Sequence, residues 1–272
     1  MARSVRRTFL LPTIGVVLLV GISFSFAAYF FAERTIASQM EARVALLNQK
    51  VASELDAIFT KAEEILHQNA KLLALDSIER ADASKIRDIR LAEVTSFHVP
   101  TSIYFGNPDG GVVVAGHEGK HENFYEILTD DFKAGSFTKR NISKDGVQGN
   151  VLLTLPNYDA RTRPWYIRAI QHEGQVTWGD VYVLLTGHDL AVAPSIAVRG
   201  ADNKTLGVAG MDIFVSPISN KLVSDQPIDG MVTFLIEQKS GYLIAASDKS
   251  VVFESTGEPK AFRRIRGVES GD

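Results

Sequence analysis

Between Thr8 and Ala32 the chain runs 25 residues without a single charge. A bilayer core takes about 20 apolar residues as a helix, so this run is long enough to span one. The apolar part, Phe9–Ala32, places Pro12 near its start, where a missing N–H matters least. Phe24, Phe26, Tyr29, Phe30 and Phe31 gather at its far end, as interfacial aromatics do. Arg3, Arg6 and Arg7 precede it and Glu33 follows, which predicts residues 1–8 in the cytoplasm, a transmembrane helix over 9–32 and the rest outside the inner (plasma) membrane. A cleaved signal peptide is the competing reading, but its apolar stretch usually runs about 7–15 residues. A buried core helix fits less well, because the segment is apolar all round.

The anchor divides the charge. Residues 1–32 carry +3, so the remaining 240 carry −6 within the net −3. That balance argues against nucleic acid as a partner. With no cysteine among 272 residues, disulfides, thiol nucleophiles and cysteine-held metals are excluded.

Beyond the anchor, Ile36, Met40, Val44, Leu47, Val51, Leu55, Ile58, Ala62, Ile65 and Leu72 recur at helical spacing. They predict a stalk helix over 33–75, about 60 Å long. An apolar stripe that long packs on its own domain, on a second copy of the chain as a homodimer, or on both. Residues 83–94 read as a shorter helix. The period then changes to short β-rich runs at 102–105, 111–115, 151–155, 181–185, 190–198, 206–214, 232–236 and 242–246, separated by Asn/Asp/Gly turns. Helices ahead of such strands predict an α+β domain on an antiparallel sheet, with a further hairpin opening in 226–272.

Two motifs invite enzymatic readings. His117-Glu118-Gly119-Lys120-His121 matches H-E-x-x-H, the pattern of a zinc protease, which needs both histidines on one helix face. Here it follows a strand-like run and contains glycine, so a hairpin tip is expected and no metal site. Gly106-Asn107-Pro108-Asp109-Gly110-Gly111 lacks the Lys-Ser/Thr of a phosphate loop and reads as a turn between strands.

The informative stretch runs from Tyr158 to Tyr166. Pro164 suits the first turn of a short helix over 164–170, where free N–H groups favour an anion. Arg163 just ahead offers a planar fork to a carboxylate. Asp212 ends the apolar run 206–211, and a carboxylate there needs a cation or another partner. Arg163, Trp165 and Tyr158 thus stand at one end of a candidate pocket, and Asp212, Tyr182 and Tyr166 at the other. An α-amino acid carries both complementary groups. Equally, Arg163 and Asp212 pair with each other or with neighbours, and the aromatics are core.

The ordered set Arg161-Thr162-Arg163-Pro164-Trp165-Tyr166, Trp178…Tyr182, Ala193-Pro194-Ser195 and Gly207-Val208-Ala209-Gly210-Met211-Asp212 resembles the double-Cache (dCache) extracytoplasmic sensor domains of bacterial transmembrane receptors, over about residues 33–250. The resemblance implies two stacked PAS-like modules along the stalk helix: a membrane-distal, ligand-binding one over 76–225 and an incomplete membrane-proximal one over 226–272. It implies a sensor of small molecules, with no enzymatic activity, no cofactor and no metal, serving chemotaxis or another transmembrane signal. In the amino-acid-binding subgroup the positions of Tyr158, Arg163 and Trp165 hold the ligand carboxylate. Those of Tyr166, Tyr182 and Asp212 hold its amino group. Other Cache sensors take an amine, a purine or an organic acid as the input of a cyclase or histidine kinase. The family also carries a second membrane crossing and a cytoplasmic output, so a chain stopping at Asp272 is expected to be a truncated frame or a fragment. Side-chain selectivity is expected from 102–105 and from the 180–190 loop.

Overall fold

The computed structural model describes residues 2–118, 123–184, 189–224, 232–247, 253–256 and 261–267. The predicted anchor and stalk form one helix, α1 (Ala2–Ala74). The chain divides into two units, residues 1–54 and residues 55–272.

In the first unit, the charge-free run is helical. Its most apolar 18-residue window has a mean hydropathy of 2.2 and buries none of its residues. A helix from the core of a soluble protein would bury that surface. This is one helix long and apolar enough to cross a membrane.

The second unit is built on a nine-stranded antiparallel sheet. The elements after α1 are α2 (Ala83–Ser96), β1 (Ser102–Gly106), β2 (Val112–Glu118), β3 (Asn123–Thr129), β4 (Gly135–Ile142), β5 (Gln148–Tyr158), α3 (Pro164–Gln171), β6 (Tyr182–Val183), β7 (Leu190–Val192), β8 (Ser195–Arg199), β9 (Thr205–Phe214) and α4 (Ser216–Ser224). The strand order is β5-β4-β3-β2-β1-β9-β7-β6, with β8 also paired to β9. The whole is a curled, PAS-like α+β module. Two further hairpins follow: β10 (Phe234–Ile236) with β11 (Leu243–Ala246), and β12 (Phe253–Thr256) with β13 (Ala261–Arg264).

Strand alternation sorts the residues onto two faces. Ile103, Phe105, Val113 and Met211 point one way, into a core with Ala62, Ile65, Leu66 and Leu73 of α1. Full burial of each such aliphatic side chain stabilises the fold by about 1.5–3 kcal/mol. Helix α2 starts at an Asp82 N-cap, whose carboxylate accepts from the Ser84 and Lys85 amides at 2.9 and 3.2 Å. On the same face of the sheet, Arg87 of α2 pairs with Glu126 of β3, and Glu126 is fully buried.

Several expected elements changed. The run 190–198 is two strands, because Pro194 cannot donate to a ladder and the chain turns there. Strands β3 and β4 and helix α4 were not expected. The Asn107–Gly111 turn does join β1 to β2, with the Asn107 side chain accepting from the Asp109 and Gly111 amides. His117 and Glu118 are strand residues at the end of β2, not helical, which removes the geometry an H-E-x-x-H zinc site requires. The rest of that expected tip, 119–122, lies outside the described residues.

Candidate functional site

On the sheet's other face, Ser102, Tyr104 and Gly106 alternate outward from β1. Register places Asp212 beside Ser102 and Gly210 beside Tyr104 on β9, and Gly116 beside both Ser102 and Tyr125. The two glycines make room for the two rings. A Cβ at Gly116 would lie 2.5 Å from the Tyr125 hydroxyl, and one at Gly210 would run into the Tyr104 ring. The rings therefore lie down over the neighbouring strand and floor a cavity of about 390 Å³. Small-molecule sites occupy about 300–1,000 Å³.

Helix α3 roofs this cavity. Pro164 occupies its first turn, as predicted, and Arg163 is its N-cap. Trp165 and Arg168, three residues apart, both reach the cavity. Trp165 packs on Tyr104 at 4.9 Å between ring centroids. The Arg163 guanidinium lies 5.8 Å from the Tyr158 ring centre. Among the described residues it has no carboxylate partner, so the alternative in which Arg163 and Asp212 neutralise each other does not hold.

Asp212 is 8% exposed, and its partners are hydroxyls rather than cations. Its Oδ1 accepts from Tyr182 at 2.6 Å and from Tyr104 at 3.4 Å, and its Oδ2 accepts from Ser102 at 2.7 Å. Burial pushes the Asp212 carboxyl above its ordinary 3.8, with the three hydroxyl donors pulling back. Burial, and then the Asp212 charge, pushes Tyr104, Tyr125 and Tyr182 upward. Burial also raises Tyr158, to about 12, with Arg163 opposing. All four phenols therefore stay protonated and keep their donors at neutral pH. The result is a buried carboxyl whose partners among the described residues are hydroxyls, a guanidinium at the rim, and aromatic surface between them.

Of the six residues singled out from sequence, Tyr158, Arg163, Trp165, Tyr182 and Asp212 line this one cavity. Tyr166 does not. One step along α3 from Trp165, it turns inward, is 6% exposed, and donates to the Asn107 carbonyl at 3.3 Å. It braces the β1–β2 turn instead of lining the cavity. Sequence reading missed Ser102's bond to Asp212 and the roles of Tyr104 and Tyr125. A tyrosine in a β-rich run reads as core, and only the register to Gly210 and Gly116 reveals its place in the cavity floor. Of the 180–190 loop, Asp180, Tyr182 and Leu184 reach the cavity, and 185–188 lie outside the described residues.

The fold has known counterparts. Residues 120–220 match the family model of the methyl-accepting chemotaxis protein-like, first PDC sensor domain. The fold is that of chemoreceptor ligand-binding domains. The Campylobacter jejuni chemoreceptor Tlp3 ligand-binding domain, solved with 4-methylisoleucine, is 17% identical, with a TM-score of 0.50 over 74% of this chain and 67% of that one. The same receptor's sensory domain with isoleucine gives 18% identity and a TM-score of 0.50, over 74% and 68% of the two chains. The ligand-binding domain of the Pseudomonas aeruginosa PAO1 amino acid chemoreceptor PctC, solved with GABA, is 20% identical, with a TM-score of 0.50 over 74% and 73%.

A buried carboxylate held only by hydroxyls would make the binding of a cationic ligand pH-dependent. Its raised folded-state pKa means the folded, empty site keeps a proton that the unfolded chain has released. Stability from Asp212 is then present at low pH and is lost as pH rises from 3.8 through the raised value. A ligand ammonium favours the ionised carboxylate. Affinity for an amine-bearing ligand is therefore expected to rise with pH through that window, with up to one proton released per site. Calorimetry in buffers of different ionisation enthalpy reads the release. Affinity that stays flat or falls across the window contradicts this role for Asp212.

Proposed function

We propose that the chain is the ligand-binding sensory module of a bacterial membrane receptor, and that its cavity takes an amino acid outside the cytoplasm. The observation that carries this is Asp212: a buried carboxylate bonded to three hydroxyls and to no cation, in the same cavity as Arg163. The ligand ammonium meets Asp212 and Tyr182, and its carboxylate meets Arg163, Trp165 and Tyr158. Two opposite charges at fixed positions select zwitterions over simple amines or acids. Relatives of the same fold solved with isoleucine and with GABA support the reading.

In this reading α1 anchors the module in the inner membrane, with its N-terminus cytoplasmic. Residues 76–225 are the membrane-distal ligand-binding module, and 226–272 open a membrane-proximal one. Ile36 and Met40 remain exposed along α1 and supply the apolar stripe through which two copies pair. Signalling then requires that the ligand bind one of two arrangements more tightly than the other.

A thermal-shift screen of the 272-residue chain in detergent tests the ligand class, using amino acids, simple amines, purines and organic acids. A ligand at 100 times its Kd adds about 2.7 kcal/mol of stability. Amino acids are expected to raise the melting midpoint. A folded sample that responds only to one of the other classes, or to none, sinks the amino-acid reading.

A further inference from the structure

We infer that the cavity selects amino acids with uncharged aliphatic side chains, through a wall formed by Val112, Val114, Ile127 and Phe137. The inference rests on the amino-acid reading above and adds the side-chain class. Val112, Val114 and Ile127 alternate with core-facing residues on β2 and β3, Phe137 is the buried residue between Ser136 and Thr138 on β4, and all four line the cavity. They are cross-strand neighbours: Val114 lies beside Ile127 in the ladder, and Phe137 lies beside Thr129, whose hydroxyl accepts from the Val112 amide at 3.0 Å. The wall is thus one continuous apolar patch on one sheet face, separate from the Asp212 corner.

What charge remains in the cavity is already matched. Once the ligand's ammonium and carboxylate engage Asp212 and Arg163, the lining retains Arg168 and Asp180. These two pair with each other at 3.3 Å, and Asp180 is a rim residue with an 87% exposed side chain. Lys139 follows Ile127 in the ladder but is not part of the lining. Its ammonium sits 4.0 Å from the Tyr125 ring centre and bonds Glu118. An acidic or basic ligand side chain would therefore lose its water against valine, isoleucine and phenylalanine without gaining a partner, which is strongly unfavourable. An aliphatic one gains contact over the same surface, and each methylene fitted into such a pocket changes affinity by about 10–200-fold.

The test measures dissociation constants by calorimetry on the 272-residue chain in detergent. The probes are L-alanine, L-valine, L-isoleucine, L-aspartate, L-glutamate, L-lysine and L-glutamine. Valine and isoleucine are expected to bind at least tenfold more tightly than the charged and amide probes. A second measurement uses Val114→Thr, which keeps the β-branch and adds a hydroxyl to the wall. It is expected to lower the isoleucine-to-alanine affinity ratio severalfold. Binding of aspartate, glutamate, lysine or glutamine as tight as that of isoleucine overturns the inference and leaves the amino-acid reading standing. So does an unchanged ratio in a folded Val114→Thr protein. Silence from every amino acid removes both.

Discussion

Asp212→Asn is expected to abolish the thermal response to amino acids while leaving the empty protein at least as heat-stable as the parent. The asparagine side chain has the same shape. Its carbonyl oxygen still accepts from Tyr182 and Tyr104, and its amide donates to the Ser102 hydroxyl, which swings to accept. What disappears is the charge. Removing one partner of a buried, hydrogen-bonded charge pair costs about 2–5 kcal/mol of binding, or roughly 30- to 5,000-fold in Kd. Stability moves the other way. Because burial raises the Asp212 carboxyl above 3.8, ionising it in the folded, empty site costs more than ionising it in the unfolded chain. The neutral amide removes that cost. Arg163→Ala makes the complementary test. The Arg163 guanidinium lies over Tyr158 and no carboxylate depends on it, so its loss should leave the fold intact and weaken ligands in proportion to their need for a carboxylate contact. An Asp212→Asn protein that melts like the parent and still shifts with the same amino acid would falsify the assignment of the ammonium to this corner.

Asp212 was legible in sequence because a carboxylate closing an apolar run is anomalous wherever it occurs. Arg163 and Trp165 were legible because Pro164 fixes the start of a helix. The two floor tyrosines were not. Tyr104 and Tyr125 take their roles from glycines that adjoin them only in the folded sheet: Gly210 lies more than 100 residues downstream of Tyr104, and Gly116 sits across a hairpin from Tyr125. Strands β3 and β4 escaped for a related reason. Their alternation is broken by Glu126 and Lys139, charged residues that belong on a surface by pattern and are buried in fact, at 0% and 3% exposure. Each is tolerated because of a partner contributed by a different element, Arg87 for one and Glu118 for the other. Local periodicity cannot register a compensation that arrives through tertiary contact. Tyr166 differs in the opposite sense. The resemblance counts it with the ligand contacts, but its hydroxyl is bonded to the Asn107 carbonyl beneath the β1–β2 turn, while Pro164 and Trp165 line the cavity.

The buried pair that hid β3 also supplies the largest expected loss of stability. Glu126 is held by the Arg87 guanidinium and by the Gln148 amide at 2.6 Å, on the sheet face opposite the cavity. Arg87→Met keeps the length and apolar stem of the side chain but removes the cation. It leaves a carboxylate at 0% exposure with one neutral donor. Breaking a buried pair in this way costs about 3–5 kcal/mol. For a unit of this size, 1 kcal/mol corresponds to about 2–4 °C, so the midpoint should fall by roughly 6–20 °C. The double replacement Arg87→Met with Glu126→Leu should recover most or all of that loss, since apolar groups of similar volume often replace a buried ion pair at no net cost. The double-mutant cycle separates the two contributions: the single substitution measures an abandoned charge, the double one the net worth of the pair. Tyr125 and Ile127 flank Glu126 and point the other way, into the cavity. Ligand affinity should therefore survive in the double variant once its fold is restored. Recovery of stability without recovery of binding would mean that this pair sets the position of β3 itself, and a parent-like midpoint for Arg87→Met alone would mean that water reaches Glu126 from the α2 side.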